Sequence, residues 1–180
     1  FAGMLAARPD PGALTVVRLA APDGGTLIFV NGMAANDPQS SQMIRDLGKQ
    51  SFPDFDQVTL LNLREDRADR SKQLAEIVRL PESPHGGNRR EFTIVMGTGT
   101  SVVRDFPGLL DLGNIQASEA GQKLLELATG RKICVVGLGN VANQGLVLFD
   151  WLRSHGSPVA CGELHKKPKP NSLLRMVQNG

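Results

Sequence analysis

Apolar runs of about six residues recur along this chain, at residues 14–19, 26–31, 57–63, 92–96 and 132–136, with longer amphipathic stretches between them. A short run without strict polar alternation is the mark of a strand covered on both faces, and helical-length connections are what parallel strands require. The pattern therefore predicts an α/β fold: a three-layer, Rossmann-like domain with a mostly parallel sheet. The first two runs flank Pro22-Asp23-Gly24-Gly25, a turn signal that predicts an N-terminal β-hairpin. Helices are expected at 38–50, 66–80, 101–106, 118–128 and 141–155. Asn36 and Asp37 can cap the first of them, Pro38 suits its first position, and Gly48 is placed to end it.

The 180 residues, 41% hydrophobic, are enough for one domain with a core at 14–156. Phe1-Ala2-Gly3-Met4-Leu5 reads as the end of a helix belonging to something upstream, so the chain is expected to be a fragment, with 1–13 belonging to a preceding domain. Residues 81–88 read as a polar Pro/Gly loop. From 157 to 180 Pro158, Pro168 and Pro170 lie among Lys166, Lys167 and Lys169, a pattern that predicts a flexible basic tail.

Lys and Arg total 20 against 18 Asp and Glu, and aromatic residues make up 4% with no Tyr. Neither the charge nor the stacking surface for a nucleic-acid partner is present. Cys134 lies inside an apolar run and reads as a buried, reduced thiol; Cys161 falls in the tail, and no CxxC pair occurs. No stretch reaches the roughly 20 apolar residues that cross a bilayer. His85, His155 and His165 have no metal-ligand spacing and read as surface residues, while Trp151, with Leu148 and Leu152, reads as core. No metal ligands are predicted.

In open α/β sheets ligands bind outside the carboxyl ends of the strands, so four junctions matter: 31–38, 62–70, 97–100 and 137–145. The second is the most informative. Arg64-Glu65-Asp66-Arg67-Ala68-Asp69-Arg70 holds three arginines and three carboxylates where a strand gives way to a helix. Arg64, Arg67 and Arg70 recur every third residue, and part of the set can share one face of a first helical turn. Such a face binds phosphate through forked donors, or else is a self-paired, solvated charge run. At Asn31-Gly32-Met33-Ala34-Ala35-Asn36-Asp37, small residues admit a flat ligand and Asn31, Asn36 and Asp37 can hydrogen-bond to it; alternatively Asn36 and Asp37 only cap. Gly137-Leu138-Gly139-Asn140-Val141-Ala142 formally satisfies G-x-G-x-x-A, and Met96-Gly97-Thr98-Gly99-Thr100-Ser101 is glycine-rich. The first stands on the last strand without a second β unit, and the second lacks the Gly-Lys-Ser/Thr of a phosphate loop, which occurs nowhere in the chain.

Three strings occur together in order: Ala7-Arg8-Pro9-Asp10-Pro11-Gly12-Ala13-Leu14, Phe29-Val30-Asn31-Gly32-Met33-Ala34-Ala35-Asn36-Asp37, and Asn62-Leu63-Arg64-Glu65-Asp66-Arg67-Ala68-Asp69-Arg70. They resemble the C-terminal part of the Mur-ligase-like subunit of poly-γ-glutamate synthase, a capsule-type amide ligase, over roughly residues 1–150. The resemblance implies an enzyme that uses ATP to convert a carboxylate to an acyl phosphate, which an amine then displaces to form a γ-amide bond. This chain would be its C-terminal nucleotide-closing domain, with residues 9–14 as the hinge. The phosphate loop and most ligands of the magnesium ion would lie in an upstream ATP-binding domain, so the fragment alone would be inactive. Asn31, Asn36, Asp37, Arg64 and Asp66 would bind nucleotide, Asp66 through ribose hydroxyls, and Arg67 and Arg70 would act on the phosphates. Where many Mur ligases carry a hinge arginine, Ala13 follows Gly12, which leaves Arg8 and Arg18 as substitutes. Glutamate or polyglutamate would be the substrate and membrane subunits of a synthase complex the partners, at the cytoplasmic face of a bacterial membrane. Two rival readings are a stand-alone nucleotide-binding or docking module and an NAD-linked oxidoreductase resting on residues 137–142.

Overall fold

The computed structural model describes residues 14–35, 37–79 and 90–160. Their strands are β1 (Thr15–Ala20), β2 (Thr26–Asn31), β3 (Asp56–Asn62), β4 (Glu91–Met96), β5 (Leu109–Asp111), β6 (Lys132–Gly139) and β7 (Ser157–Pro158). The helices are α1 (Pro38–Ser51), α2 (Ala68–Arg79), α3 (Ala117–Leu127) and α4 (Gln144–His155). The strands form one sheet in the order β5-β4-β3-β6-β2-β1-β7. Strands β2 to β6 run parallel, while β1 is antiparallel to both β2 and β7. This is the predicted Rossmann-like, three-layer arrangement with its N-terminal hairpin.

Residues of β6 show why the apolar runs are continuous. Ile133 and Val135 join Phe29, Leu60, Leu124, Leu148 and Phe149 on one face of the sheet, covered by α3 and α4. Cys134, Val136 and Leu138 join Val30, Leu61, Leu74 and Ile77 on the other, under α1 and α2. With both faces covered, each fully buried Val, Leu, Ile or Phe contributes about 1.5–3 kcal/mol of hydrophobic stabilisation before chain entropy is charged against it. Burial pushes the Cys134 thiol up to about 12, so it is the inert buried thiol expected. Trp151 is half-buried against the α3 face and stacks on His155 at 4.1 Å between ring centroids.

Several boundaries differ from the sequence expectations, each for a local reason. Gly48 does not end α1. A Cβ there would stand 2.8 Å from Val136 Cγ2, so the glycine lets the helix lie close on β6, and the helix ends only where Phe52 N–H donates to Gly48 O ahead of Pro53. Residues 101–106 make only a 3-10 turn, Thr100–Val103, before the three-residue strand β5, too short to register as an apolar run. Strand β6 continues through Gly139, so α4 starts at Gln144 instead of 141. The sheet also takes in Ser157–Pro158 at its β1 edge, where the tail was expected to begin, and Val159 N–H donates to Val16 O at 2.9 Å. Asn36, His85, Cys161 and His165 lie outside the described residues. Among the described residues no helix is long and apolar enough to cross a membrane.

Candidate functional site

The connections leaving β2 and β3 turn to the α1–α2 face of the sheet, and the connection leaving the intervening β6 turns to the α3–α4 face. Chains that part to opposite faces open a crevice at the carboxyl ends of the strands between them, the place where α/β sheets bind ligands. Here the crevice is a cleft of about 300 Å³. Arg64, Arg67 and Arg70 line it from the β3 exit, Met33 and Ala34 from the β2 exit, and Asn140, Val141 and Ala142 from the β6 exit.

The three arginines reach the cleft because the chain past β3 makes a 3-10 turn, Glu65–Arg67, that runs straight into α2. Ser71, fully buried, pins this turn: its hydroxyl donates to Arg64 O at 3.1 Å and accepts from Arg64 N–H at 3.3 Å. Arg64 is half-buried, and its Nε and Nη2 donate to the two carboxylate oxygens of Asp66 at 2.8 and 2.5 Å. The fork onto Arg64 holds the Asp66 carboxyl below the usual carboxylate range, so the pair persists to lower pH than a free carboxylate would and opens as the pH falls through that lowered value. Arg70 donates from Nη2 to Ala35 O at 3.0 Å, linking the β3 exit to the β2 exit, while Arg67 is exposed at the mouth.

Of the residues singled out in the sequence, Arg64, Arg67 and Arg70 come together, and Asp66 joins them through Arg64. Asn31 is buried, and its side-chain oxygen accepts the Met33 N–H at 3.4 Å, shaping the loop that carries Met33 and Ala34. Asp37 takes the capping role: its carboxylate accepts from Ser40 N–H at 2.8 Å and Ser40 O–H at 2.6 Å at the start of α1. These bonds hold its carboxyl below the ordinary value. Asp37→Ala should therefore lower the melting temperature at neutral pH, with the difference shrinking in acid, and leave the cleft unchanged; scanning calorimetry at two pH values checks this.

The glycines of the two strings pack in strands or against neighbouring backbone, and residues 140–142 of the first string line the cleft. Gly137 and Gly139 are strand residues, and the Phe29 ring packs on Gly137. Gly99 lies against the Arg64 backbone and donates its N–H to Leu63 O at 3.2 Å, so the loop after β4 braces the arginine turn. Asn140 and Ser71 were not among the sequence candidates. The first stood in a junction noticed for its glycines, and the second carries no signal apart from its distance of one helical repeat beyond Arg64. Among the described residues no cluster of three or more His, Cys, Asp or Glu could hold a metal ion.

A mostly parallel sheet with helices on both faces, and a cleft lined by three arginines at its switch point, defines a Rossmann-like three-layer α/β domain. The family described as "Poly-gamma-glutamate synthase CapB C-terminal domain" matches residues 16–155, and the chain belongs to that family. It is 40% identical over 163 residues to the capsule biosynthesis protein CapB of Bacillus anthracis, covering 84% of this chain and 33% of that protein. It is also 40% identical over 82 residues to the PGA synthase CapB of Bacillus subtilis (strain 168), covering 43% of this chain and 20% of that protein. The chain thus spans a third or less of the relatives it matches.

Proposed function

We propose that this domain closes over the nucleotide of an ATP-dependent, Mur-ligase-like amide ligase that polymerises glutamate through γ-amide bonds. The observation that carries this is the convergence of Arg64, Arg67 and Arg70 on one cleft at the switch point. ATP activates the carboxylate; the residues of this chain hold phosphate charge and keep water out. Arg67 and Arg70 offer donors to phosphate oxygens, and Arg64 lines the wall beside them. Donors fixed in a closing, water-poor cleft act more strongly than in bulk solvent, which is what a lid adds to a nucleotide site. The cleft suits the phosphate part of a nucleotide, and the phosphate loop and the ligands of magnesium are assigned to the upstream domain of the longer enzyme. In this reading the enzyme works with membrane subunits at the cytoplasmic face.

Asp66 is assigned to orienting Arg64 instead of gripping ribose. Asp66→Ala should then free two Arg64 donors and raise tripolyphosphate affinity severalfold. A selective loss of ATP over tripolyphosphate would return Asp66 to the ribose. The proposal as a whole is tested in the full-length enzyme. Deleting the segment equivalent to this domain should leave nucleotide binding detectable and abolish ATP-dependent polymerisation of glutamate. Polymerisation at the parent rate by the truncated enzyme would overturn it.

A further inference from the structure

We propose that Asn62, which does not line the cleft, is the positioning residue that sets its width. The inference rests on the anion-binding reading only for the identity of the ligand. Asn62 ends β3 beside the central strand β6 and is 2% exposed. Its Nδ2 donates to Asn140 O at 2.6 Å, and its backbone oxygen accepts the Asn140 N–H at 3.0 Å. The exits of β3 and β6 are thereby clamped side chain to backbone, between Arg64 two residues along one chain and the Asn140–Ala142 wall on the other.

Three glycines from three segments close on the same residue. A Cβ on Gly97, after β4, would stand 2.8 Å from Asn62 Oδ1. One on Gly145, in the first turn of α4, would stand 2.7 Å from Asn62 Nδ2, and one on Gly139 would collide with the Asn62 backbone oxygen. Gly97 and Gly139 also take φ of +103° and +101°, which other residues rarely adopt. The exits of β4 and β6 and the start of α4 are all seated on one residue, Gly97 and Gly145 on its amide and Gly139 on its backbone. Only an amide serves here: aspartate would turn an acceptor toward the Asn140 carbonyl, and leucine would leave that carbonyl buried without this donor.

The test uses the 180-residue chain with Asn62→Ser, which cannot span to Asn140 O, and Gly145→Ala, whose Cβ would stand 2.4 Å from Asn140 O and 2.7 Å from Asn62 Nδ2, at both ends of the clamp. Phe52→Ala serves as the control, destabilising the core where α1 runs into β3, at the other end of the strand. Two quantities are read by NMR: amide hydrogen exchange across residues 139–145, and affinity for inorganic tripolyphosphate. Both cleft variants should speed exchange in that segment and weaken tripolyphosphate binding by about tenfold or more, the scale of one buried hydrogen bond in this setting. The control should do neither at a matched fall in melting temperature. Parent-like exchange across 139–145 in the cleft variants, or equal effects in Phe52→Ala, would overturn the proposal. If Asn62→Ser does not fold, Gly145→Ala carries both measurements. If the parent chain binds no tripolyphosphate, the anion-binding reading falls, and the exchange comparison still decides the role of Asn62.

Discussion

Replacing Arg67 and Arg70 together by alanine is expected to reduce tripolyphosphate affinity by about 10²–10⁴-fold, since a hydrogen bond to a charged group contributes roughly 1.5–3 kcal/mol and two are lost. The two single variants should differ in kind. Arg67 is exposed at the mouth, so Arg67→Ala should weaken binding with an unchanged melting temperature. Arg70 also donates to Ala35 O, so Arg70→Ala should weaken binding and loosen the 33–35 loop as well. Lysine should restore little at position 70, because a point charge does not reproduce a fork that holds a carbonyl and a phosphate at once. The parent affinity should fall with added salt, and that dependence should flatten in the double variant. Isothermal titration at two salt concentrations checks all of this. Parent-like affinity in the double variant would mean that the three arginines are a solvated charge run, the other reading of their spacing.

The largest effect on stability is expected at Arg45, far in function from the cleft. Its guanidinium is 4% exposed and draws four elements together: Nε donates to Thr59 Oγ1 at 3.2 Å, Nη1 to Ile77 O at 3.2 Å and to Gln42 Oε1 at 3.1 Å, and Nη2 to Glu91 Oε1 at 3.1 Å. Lys49 meets the same Glu91 oxygen at 3.0 Å. Arg45→Ala strips donors from buried oxygens and leaves a void between α1, α2 and the sheet, with an expected cost of about 3–5 kcal/mol. Arg45→Met refills the space with an apolar chain of similar reach and should recover a good part of that loss. Urea unfolding gives both values. An alanine variant within about 0.5 kcal/mol of the parent, the range of an ordinary surface change, would show that the network adds nothing net.

How much of this was legible in the sequence follows from what each feature depends on. Strands β2, β3, β4 and β6 are buried on both faces, so their apolar runs announce them; β2 falls at residues 26–31 as expected. Strand β5 is three residues long and β7 two, and each owes its place to a neighbour already in the sheet, which no local pattern encodes. The arginine triplet was visible because a period of three on a helical turn is local information. That Asp66 would pair with Arg64 was one of two open readings, and that Asp37 would cap was one of two readings of a single string. Asn62 and Ser71 were invisible as cleft-builders. Their roles come from contacts spanning 78 and 7 residues, and the longer contact depends on β6 returning to lie between β2 and β3. The glycines at 97, 139 and 145 gave no sign of their contacts with Asn62, because close approach of backbone to a ligand and close approach of backbone to a neighbouring residue require the same missing Cβ.

The central claim is that the cleft between the exits of β2, β3 and β6 receives the phosphates of a nucleotide. The most direct test is to titrate ATP into the isotopically labelled 180-residue chain and map the amide shift changes by NMR. Binding should be weak, with changes concentrated at Met33, Ala34, Arg64, Arg67, Arg70 and residues 140–142, and the same set should move with tripolyphosphate. Changes centred elsewhere on the sheet, or none at millimolar ATP, would contradict it.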